Sequence, residues 1–196
     1  MNEFASDAWG QVRQLRAERA ARGEKSLPSG EEWCVAAHRL EAAGYHRGAA
    51  DAWREALVAV PALPQAHLGL GRALLALGDG DGAANAALAA LDAHATAAER
   101  GVEALLDDPD EDPWFLLGQA EHLRGRLPEA VAAYGKSAQT YPWFAEPLVE
   151  MARAELARGS AGRAADAARR ALHVLKWRPE MAREVQALLD EAEKRM

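Results

Sequence analysis

The feature that most constrains this chain is a set of small, aromatic and proline residues that recurs along it. In the first copy the landmarks are Trp33, Ala37, Gly44, Ala49, Trp53, Ala56 and Pro61. A shift of 34 residues leads to a second copy, a further shift of 47 (34 plus an insertion of 13) to a third, and another 34 to a fourth. In every copy the second and fourth landmarks are Ala or Gly and the third is Gly. Such a period is typical of stacked supersecondary units, because one unit cannot bury its apolar face alone.

Each copy is predicted to form two helices around a glycine turn, since glycine adopts the positive φ that ends a helix. The first helices are predicted over 31–43, 65–77, 113–124 and 145–158. The second helices are predicted over 47–60, 81–95, 128–140 and 161–175. Composition agrees, because the chain has 47 Ala and 24 Leu but no Ile and only nine Val. β-Branched residues favour strands, so the fold is predicted to be all-α.

Helix packing explains why some landmarks are always Ala or Gly. Where two helices cross closely, a side chain larger than Ala would hold them apart. Trp53 and Tyr134, four residues after Ala49 and Ala130, are predicted to fill the space beside the crossings. Replacing Gly118 with Leu is therefore expected to overpack its crossing and to destabilise the fold by about 1–3 kcal/mol.

The third copy, with Trp114, Leu117-Gly118, Ala130, Tyr134 and Pro142, resembles the tetratricopeptide repeat signature. The first copy matches as well. The second and fourth copies are weaker, because their first landmarks are His67 and Leu148 and their last are Ala95 and Lys176. The resemblance covers about residues 30–177 and implies a right-handed superhelix (solenoid) of helix pairs, whose first helices line a concave face. It also implies a protein that binds other proteins.

The predicted organisation is an N-terminal helix and linker (1–29), repeats at 30–63, 64–97, 111–144 and 145–178, an insertion at 98–110 and a C-terminal capping helix at 179–196. The insertion either extends the second helix of the second repeat or forms a short helix after a kink near Ala97. We favour the extension, because no proline interrupts 82–100. The N-terminal helix (about 6–22) either caps the array, which we favour, or folds over the concave face as an internal ligand.

Charge and cysteine content exclude several classes of protein. Thirty acidic residues against 23 basic ones give a net charge of −7, so no nucleic-acid partner is expected. No apolar run approaches the roughly 20 residues that span a bilayer, so we expect no membrane insertion. The charged N-terminus does not resemble a secretory signal. The single cysteine, Cys34, cannot form an internal disulfide, and a cytoplasmic location is predicted.

No segment of the sequence has a complete catalytic or metal-binding motif. The chain is therefore predicted not to be an enzyme and to need no cofactor or metal. The GDGDG segment (78–82) resembles part of a calcium loop, but the twelfth place holds Ala90 where a bidentate Glu is required. The six histidines show no zinc-like spacing. The acidic run at 107–112 is typical of a solvated loop. Cys34 has no evident base nearby and is predicted to be buried.

By the resemblance, twelve residues of the first helices face the groove: Cys34, His38, Glu41, Leu68, Arg72, Leu75, Phe115, Gln119, His122, Val149, Arg153 and Leu156. An apolar floor with Arg72 and Arg153 suits an extended or helical peptide with apolar anchors and some acidic groups. The alternative is that several of the twelve merely pack against the neighbouring repeat.

The family's clamp for a C-terminal carboxylate is absent. The positions that would form it hold Cys34, His38, Gly69, Asp112 and Leu116.

The sequence thus predicts an adaptor or scaffold that binds a protein or peptide in the groove. Two alternatives stay open: a homo-oligomer in which a terminal helix enters a neighbour's groove, and a regulatory accessory subunit of an enzyme. Trp143-Phe144 and Trp177 lie at predicted repeat junctions. Packing into those junctions is the favoured interpretation, and a self-association patch is the other.

Overall fold

The computed structural model describes residues 8–23, 30–99 and 112–196. Within these ranges every regular element is helical: ten α-helices and one 3₁₀ turn. The all-α prediction is therefore confirmed. The chain divides into two compact units, unit 1 (Met1–Ala104) and unit 2 (Leu105–Met196), and the boundary falls within the predicted insertion.

Unit 1 contains an N-terminal helix and two helix pairs. Its helices are α1 (Ala8–Ala21), α2 (Gly30–Ala42), α3 (His46–Ala59), α4 (Pro64–Ala76) and α5 (Gly80–Glu99). Within unit 1, α2 packs against α3, α3 against α4 and α4 against α5. The predicted bounds of the two pairs differ from these by one residue, except at the end of α5. That helix continues past 95 to Glu99, as the extension hypothesis requires, and the rest of the insertion lies outside the described residues.

Unit 2 contains two helix pairs and a C-terminal helix. Its elements are α6 (Pro113–Leu123), α7 (Leu127–Thr140), α8 (Glu146–Ala157), α9 (Ala161–Val174), the 3₁₀ turn Leu175–Trp177 and α10 (Pro179–Lys194). Successive helices again pack against each other, and α10 packs mainly against α9. Val185, Leu189 and Ala192 of α10 are buried, so its apolar stripe covers the last pair as predicted for a cap.

Each helix pair turns at a glycine, as predicted. The first helix ends at a glycine with φ between 73° and 79°: Gly44, Gly78, Gly125 and Gly159. In each turn the amide that follows the glycine donates to a carbonyl five residues earlier; the Tyr45 amide, for example, lies 2.8 Å from the Leu40 oxygen. This 6→1 bond satisfies a carbonyl that the helix end would leave open. A side chain at these glycines would strain the backbone.

Two glycines inside helices lie directly against an aromatic ring of a neighbouring helix. A Cβ added to Gly118 would lie 2.4 Å from Cδ1 of Tyr134 in the same pair. One added to Gly69 of α4 would lie 2.2 Å from Cε2 of Trp53 in α3. Both aromatic rings are buried. The prediction that a small landmark lies against a bulky side chain is therefore confirmed for Gly118 and Tyr134. At Trp53 the small residue is Gly69, which is not one of the repeat landmarks.

Helix α1 packs against α2 and α3. Val12 belongs to the apolar core of unit 1, and Nη1 of Arg19 lies 2.8 Å from Oε1 of the buried Glu32. A second ion pair joins Arg39 and Glu18 at 3.4 Å. These contacts are those of a helix that covers the first pair, as expected of an N-terminal cap.

The junctions after α7 and α9 differ from the prediction that their tryptophans are packed. Tyr141 and Phe144 are buried there, whereas Trp143 is 66% exposed, and the equivalent Trp177 is 83% exposed. The favoured interpretation that both tryptophans pack into the junctions is therefore wrong. Tyr141 and Phe144 are the side chains that turn inward at the first of these junctions. Trp143, between them, packs edge-on against Tyr141 with ring centroids 5.8 Å apart.

Candidate protein-binding surface

In unit 1 the structure brings three predicted groove residues together across two first helices. Oε2 of Glu41 in α2 lies 3.6 Å from Nδ1 of His38 and 3.7 Å from Nη2 of Arg72 in α4. The His38 ring packs edge-on against the indole of Trp53, with centroids 4.8 Å apart. The guanidinium of Arg72 therefore already has a carboxylate beside it, and this surface carries both signs of charge.

The apolar residues among the predicted groove residues of unit 1 are less exposed than His38. Cys34 and Leu68 are buried, and Leu75 is partly exposed. Burial raises the pKa of the Cys34 thiol, while a hydrogen bond from the Gln65 side chain lowers it by less. Cys34 therefore sits as a neutral, weakly polar side chain between α2 and α4, as the sequence predicted.

The protection of Cys34 can be measured directly, because it is the only cysteine. At neutral pH a maleimide is expected to label Cys34 at least about ten times more slowly in the native protein than in the chain unfolded by guanidinium. The raised pKa lowers the fraction of reactive thiolate, and burial blocks access to it. Equal labelling rates in the two states would contradict this placement.

In unit 2 the corresponding surface is built on an aromatic cluster. The ring of Phe115 in α6 lies 5.3 Å from that of Phe144 and 5.9 Å from that of Tyr134, in edge-on and tilted arrangements. Phe144 and Tyr134 are buried, whereas Phe115 is partly exposed. Since its two neighbours hold it in place, Phe115 presents a fixed apolar edge that a ligand can contact.

Arg153 of α8 forms ion pairs with Glu150 of its own helix and with Glu184 of α10. The hydroxyl of Tyr134 lies near the same charges. Burial raises the pKa of Tyr134, the carboxylate of Glu150 raises it further, and Arg153 lowers it. The capping helix α10 thus contributes a carboxylate to the surface that α6 and α8 form.

The twelve predicted residues therefore separate by burial. Cys34, Leu68, Val149 and Leu156 are buried and pack within their units, as the alternative interpretation held for some of the set. The other eight are exposed or partly exposed: His38, Glu41, Leu75, Arg72, Phe115, Gln119, His122 and Arg153. That these eight contact a ligand stays a prediction.

Three side chains of these surfaces were not predicted from the sequence. Trp53 supports His38, Glu150 pairs with Arg153 within one helix turn, and Glu184 reaches Arg153 from α10. The i, i+3 spacing of Glu150 and Arg153 is a signal that could have revealed their pairing. Glu184 carries no such signal, because its contact depends on how α10 packs.

The suspected loop motifs serve as helix caps. Oδ1 of Asp79, in the GDGDG segment, accepts a hydrogen bond from the Gly82 amide at 2.8 Å. Oδ1 of Asp112, which ends the acidic run, accepts one from the Trp114 amide at 2.9 Å. Residues 107–111 of that run lie outside the described residues. Where the chain is described, no group of three or more His, Cys, Asp or Glu side chains could hold a metal ion.

The same described ranges contain no helix that is both long enough and apolar enough to cross a membrane.

Neither a protein-family model nor a curated protein matches the sequence. Solved structures do match. BtubC from P. vanneervenii is 19% identical with a TM-score of 0.69, over 98% of this chain and 82% of that one. A thermophilic TPR protein from Thermus thermophilus, TTC0263, is 19% identical with a TM-score of 0.56, over 84% and 81% of the two chains. The fold is that of the tetratricopeptide repeat.

A third match is the structure of the APC/C hetero-tetramer Cut9-Hcn1. It is 15% identical with a TM-score of 0.67, and the match covers 95% of this chain but only 36% of that one. This chain therefore spans about a third of that larger TPR-like protein. At these identities the comparisons establish the fold, and they confirm the resemblance that the repeat landmarks carried.

Proposed function

We propose that this TPR-like protein is an adaptor or scaffold that binds a segment of a partner protein on the exposed side chains of its first helices. Two observations carry the proposal, one in each unit. Unit 1 has the row of His38, Glu41 and Arg72. Unit 2 has the Phe115 edge, which packs on Phe144, and the ion-paired Arg153. Polar groups of both signs around an apolar anchor are the usual makeup of a peptide-binding surface. The hetero-tetramer of Cut9 and Hcn1 offers a precedent for partner binding by a protein of this fold.

The ion pairs of the two arginines support a more specific proposal about the ligand. Arg72 already lies beside Glu41, and Arg153 beside Glu150 and Glu184. Partly exposed ion pairs contribute only about 0–1 kcal/mol each, so a ligand can exchange them at little cost. An acidic ligand group would replace a glutamate at an arginine, and a basic group would pair with the glutamate released. We therefore propose a ligand with an apolar anchor flanked by charged residues.

The test is affinity purification from the native host followed by quantitative mass spectrometry. With Arg72→Glu and Arg153→Glu combined, we expect recovery of the partner to fall at least about tenfold, because each substitution places a carboxylate among carboxylates and repels the acidic part of the ligand. Circular dichroism should show unchanged helicity, since both side chains are partly exposed.

The matched control is Arg54→Glu. Arg54 lies on the second helix α3 and pairs with Asp51 at i, i+3, just as Arg153 pairs with Glu150. The control changes the net charge in the same direction and removes a similar ion pair, but it leaves the first helices intact. Equal partner recovery from the double variant and the wild type would reject the proposed surface.

A further inference from the structure

The C-terminal helix α10 continues the row of first helices in unit 2. It begins at Pro179, close to one repeat period after the start of α8 at Glu146. It packs against the preceding second helix, α9, and also touches the preceding first helix, α8. In unit 1, α4 packs against α3 and touches α2 in the same way. Side chains of α10 can therefore reach the surface that α8 presents to a ligand.

Glu184 is the α10 side chain that does so. It lies 34 residues after Glu150, and the two carboxylates pair with the same guanidinium: Glu150 with Nη1 of Arg153 and Glu184 with Nη2. Glu150 and Arg153 are one turn apart on α8, so their pair needs no other helix. The second pair depends on α10. Both terminal nitrogens of Arg153 thus face carboxylates of the protein itself.

The glutamates that pair with Arg72 and Arg153 differ in exposure. The side chain of Glu41, beside Arg72, is 18% exposed, and that of Glu150 is 25% exposed. The side chain of Glu184 is 63% exposed. An exposed carboxylate loses little when its ion pair breaks, because water solvates it on release. Of the three, Glu184 is therefore the carboxylate that a ligand displaces at the least cost.

We propose that Glu184 is a built-in competitor for an acidic group of the ligand at Arg153, so that α10 sets how tightly unit 2 binds acidic ligands. This inference rests on the proposed function, because it requires that Arg153 contacts the ligand. A carboxylate of the ligand takes Nη2 of Arg153 from Glu184, while Glu150 continues to hold Nη1. The ligand exchanges one ion pair for another, and only the difference between the two adds to its affinity.

This competition acts only on ligands that bring a carboxylate to Arg153. A neutral ligand that binds through the Phe115 edge leaves the pair of Arg153 and Glu184 intact. Removing the charge of Glu184 should therefore strengthen the binding of acidic ligands and leave neutral ones unchanged. Glu184 would then determine specificity through a competing contact rather than through a contact with the ligand.

The probes for the test are peptides selected from a random displayed library on the immobilised full-length protein. Their dissociation constants are measured by fluorescence anisotropy. We define groove peptides as those whose binding weakens at least about tenfold both in Phe115→Ala and in Arg153→Ala, which corresponds to about 1.4 kcal/mol in each variant. For every groove peptide that requires an Asp or Glu, a matched amide peptide carries Asn or Gln at that position.

In the Glu184→Gln variant, acidic groove peptides are expected to bind about two- to fivefold more tightly, which is the range that a partly exposed ion pair allows. The matched amide peptides should show no such gain, because they do not compete for Arg153. A purely structural role of Glu184 would change the affinity of both kinds of peptide by the same factor. The comparison therefore isolates competition from any general effect on the fold.

Two control variants make the same change of charge on the same helix. Glu193→Gln breaks an ion pair between α10 and α9, in which Oε1 of Glu193 lies 2.8 Å from Nη2 of Arg169. Glu180→Gln removes an exposed carboxylate one turn before Glu184 that forms no ion pair with the described residues. Neither variant should change the affinity of acidic groove peptides by more than about 1.5-fold, because salt screens exposed charges that are not in contact.

The outcomes separate this inference from the proposed function. Acidic groove peptides that bind Glu184→Gln no more tightly than the wild type overturn the inference and leave the proposed surface standing. An equal gain for the amide peptides or in either control variant overturns it too, as does a set of groove peptides that require no acidic residue. If no selected peptide depends on Phe115 and Arg153, the proposed surface of unit 2 fails and the inference with it.

Discussion

Replacing Trp53 with Ala is expected to lower the free energy of unfolding by about 3–5 kcal/mol. The Trp53 side chain is fully buried in unit 1, where it packs against His38 and fills the space that Gly69 leaves open. Its indole N–H has no hydrogen-bond partner among the described residues, so the expected loss comes from packing and from the cavity that remains. Urea denaturation followed by far-ultraviolet circular dichroism measures this change.

Trp177→Ala is the matched control, because it removes the same side chain from a position that is 83% exposed. Surface substitutions of this kind usually change stability by no more than about 0.5 kcal/mol. Similar losses in the two variants would show that Trp53 does not fill the core of unit 1.

Replacing Gly69 with Ala is expected to destabilise the protein by about 1–3 kcal/mol, and replacing Gly135 with Ala to stabilise it by about 0.5–1 kcal/mol. Both glycines lie inside helices, so alanine improves helix propensity at both. At Gly69 the added Cβ would lie 2.2 Å from the Trp53 ring, whereas at Gly135 no atom of the described ranges would lie within 4 Å of it. Denaturant midpoints of the two variants should therefore move in opposite directions.

A double-mutant cycle identifies the cause of the Gly69 effect. If Gly69→Ala destabilises by contact with the indole, its cost should largely disappear in the Trp53→Ala background, where the ring is gone. If the destabilisation by Gly69→Ala and by Trp53→Ala simply adds up in the double variant, the strain at Gly69 does not come from the indole. Stabilisation by both alanine substitutions would contradict the close crossing of α3 and α4.

The helix pairs could be predicted from the sequence because their determinants are local. Gly44 and Gly125 end helices by adopting positive φ, and that preference holds in any context. Ala49 and Ala130 mark crossings because their size limits how closely the helices approach. The orientation of Trp143 could not be predicted in this way. It depends on which aromatic residues turn inward after α7, and Tyr141 and Phe144 are the two that are buried.

The candidate surface was predicted less completely than the fold. Helix periodicity and the resemblance place Phe115, Arg72 and Arg153 on first helices, but they do not determine what lies beside each one. Arg72 meets Glu41 of the preceding first helix, and Arg153 meets Glu184 of α10. These contacts join residues 31 apart in the sequence, so they depend on tertiary packing rather than on local pattern. The cytoplasmic location and the absence of enzymatic activity stay predictions.

We propose that the partner protein binds on the first helices. Site-specific photocrosslinking in the native host tests it most directly, with the photoreactive residue p-benzoylphenylalanine introduced at Gln119 of α6 or at Ala132 of α7. Gln119 is partly exposed among the predicted groove residues, and Ala132 is exposed on the second helix of the same pair. We expect a partner adduct at Gln119 and none at Ala132. An adduct at Ala132 with none at Gln119 would contradict it.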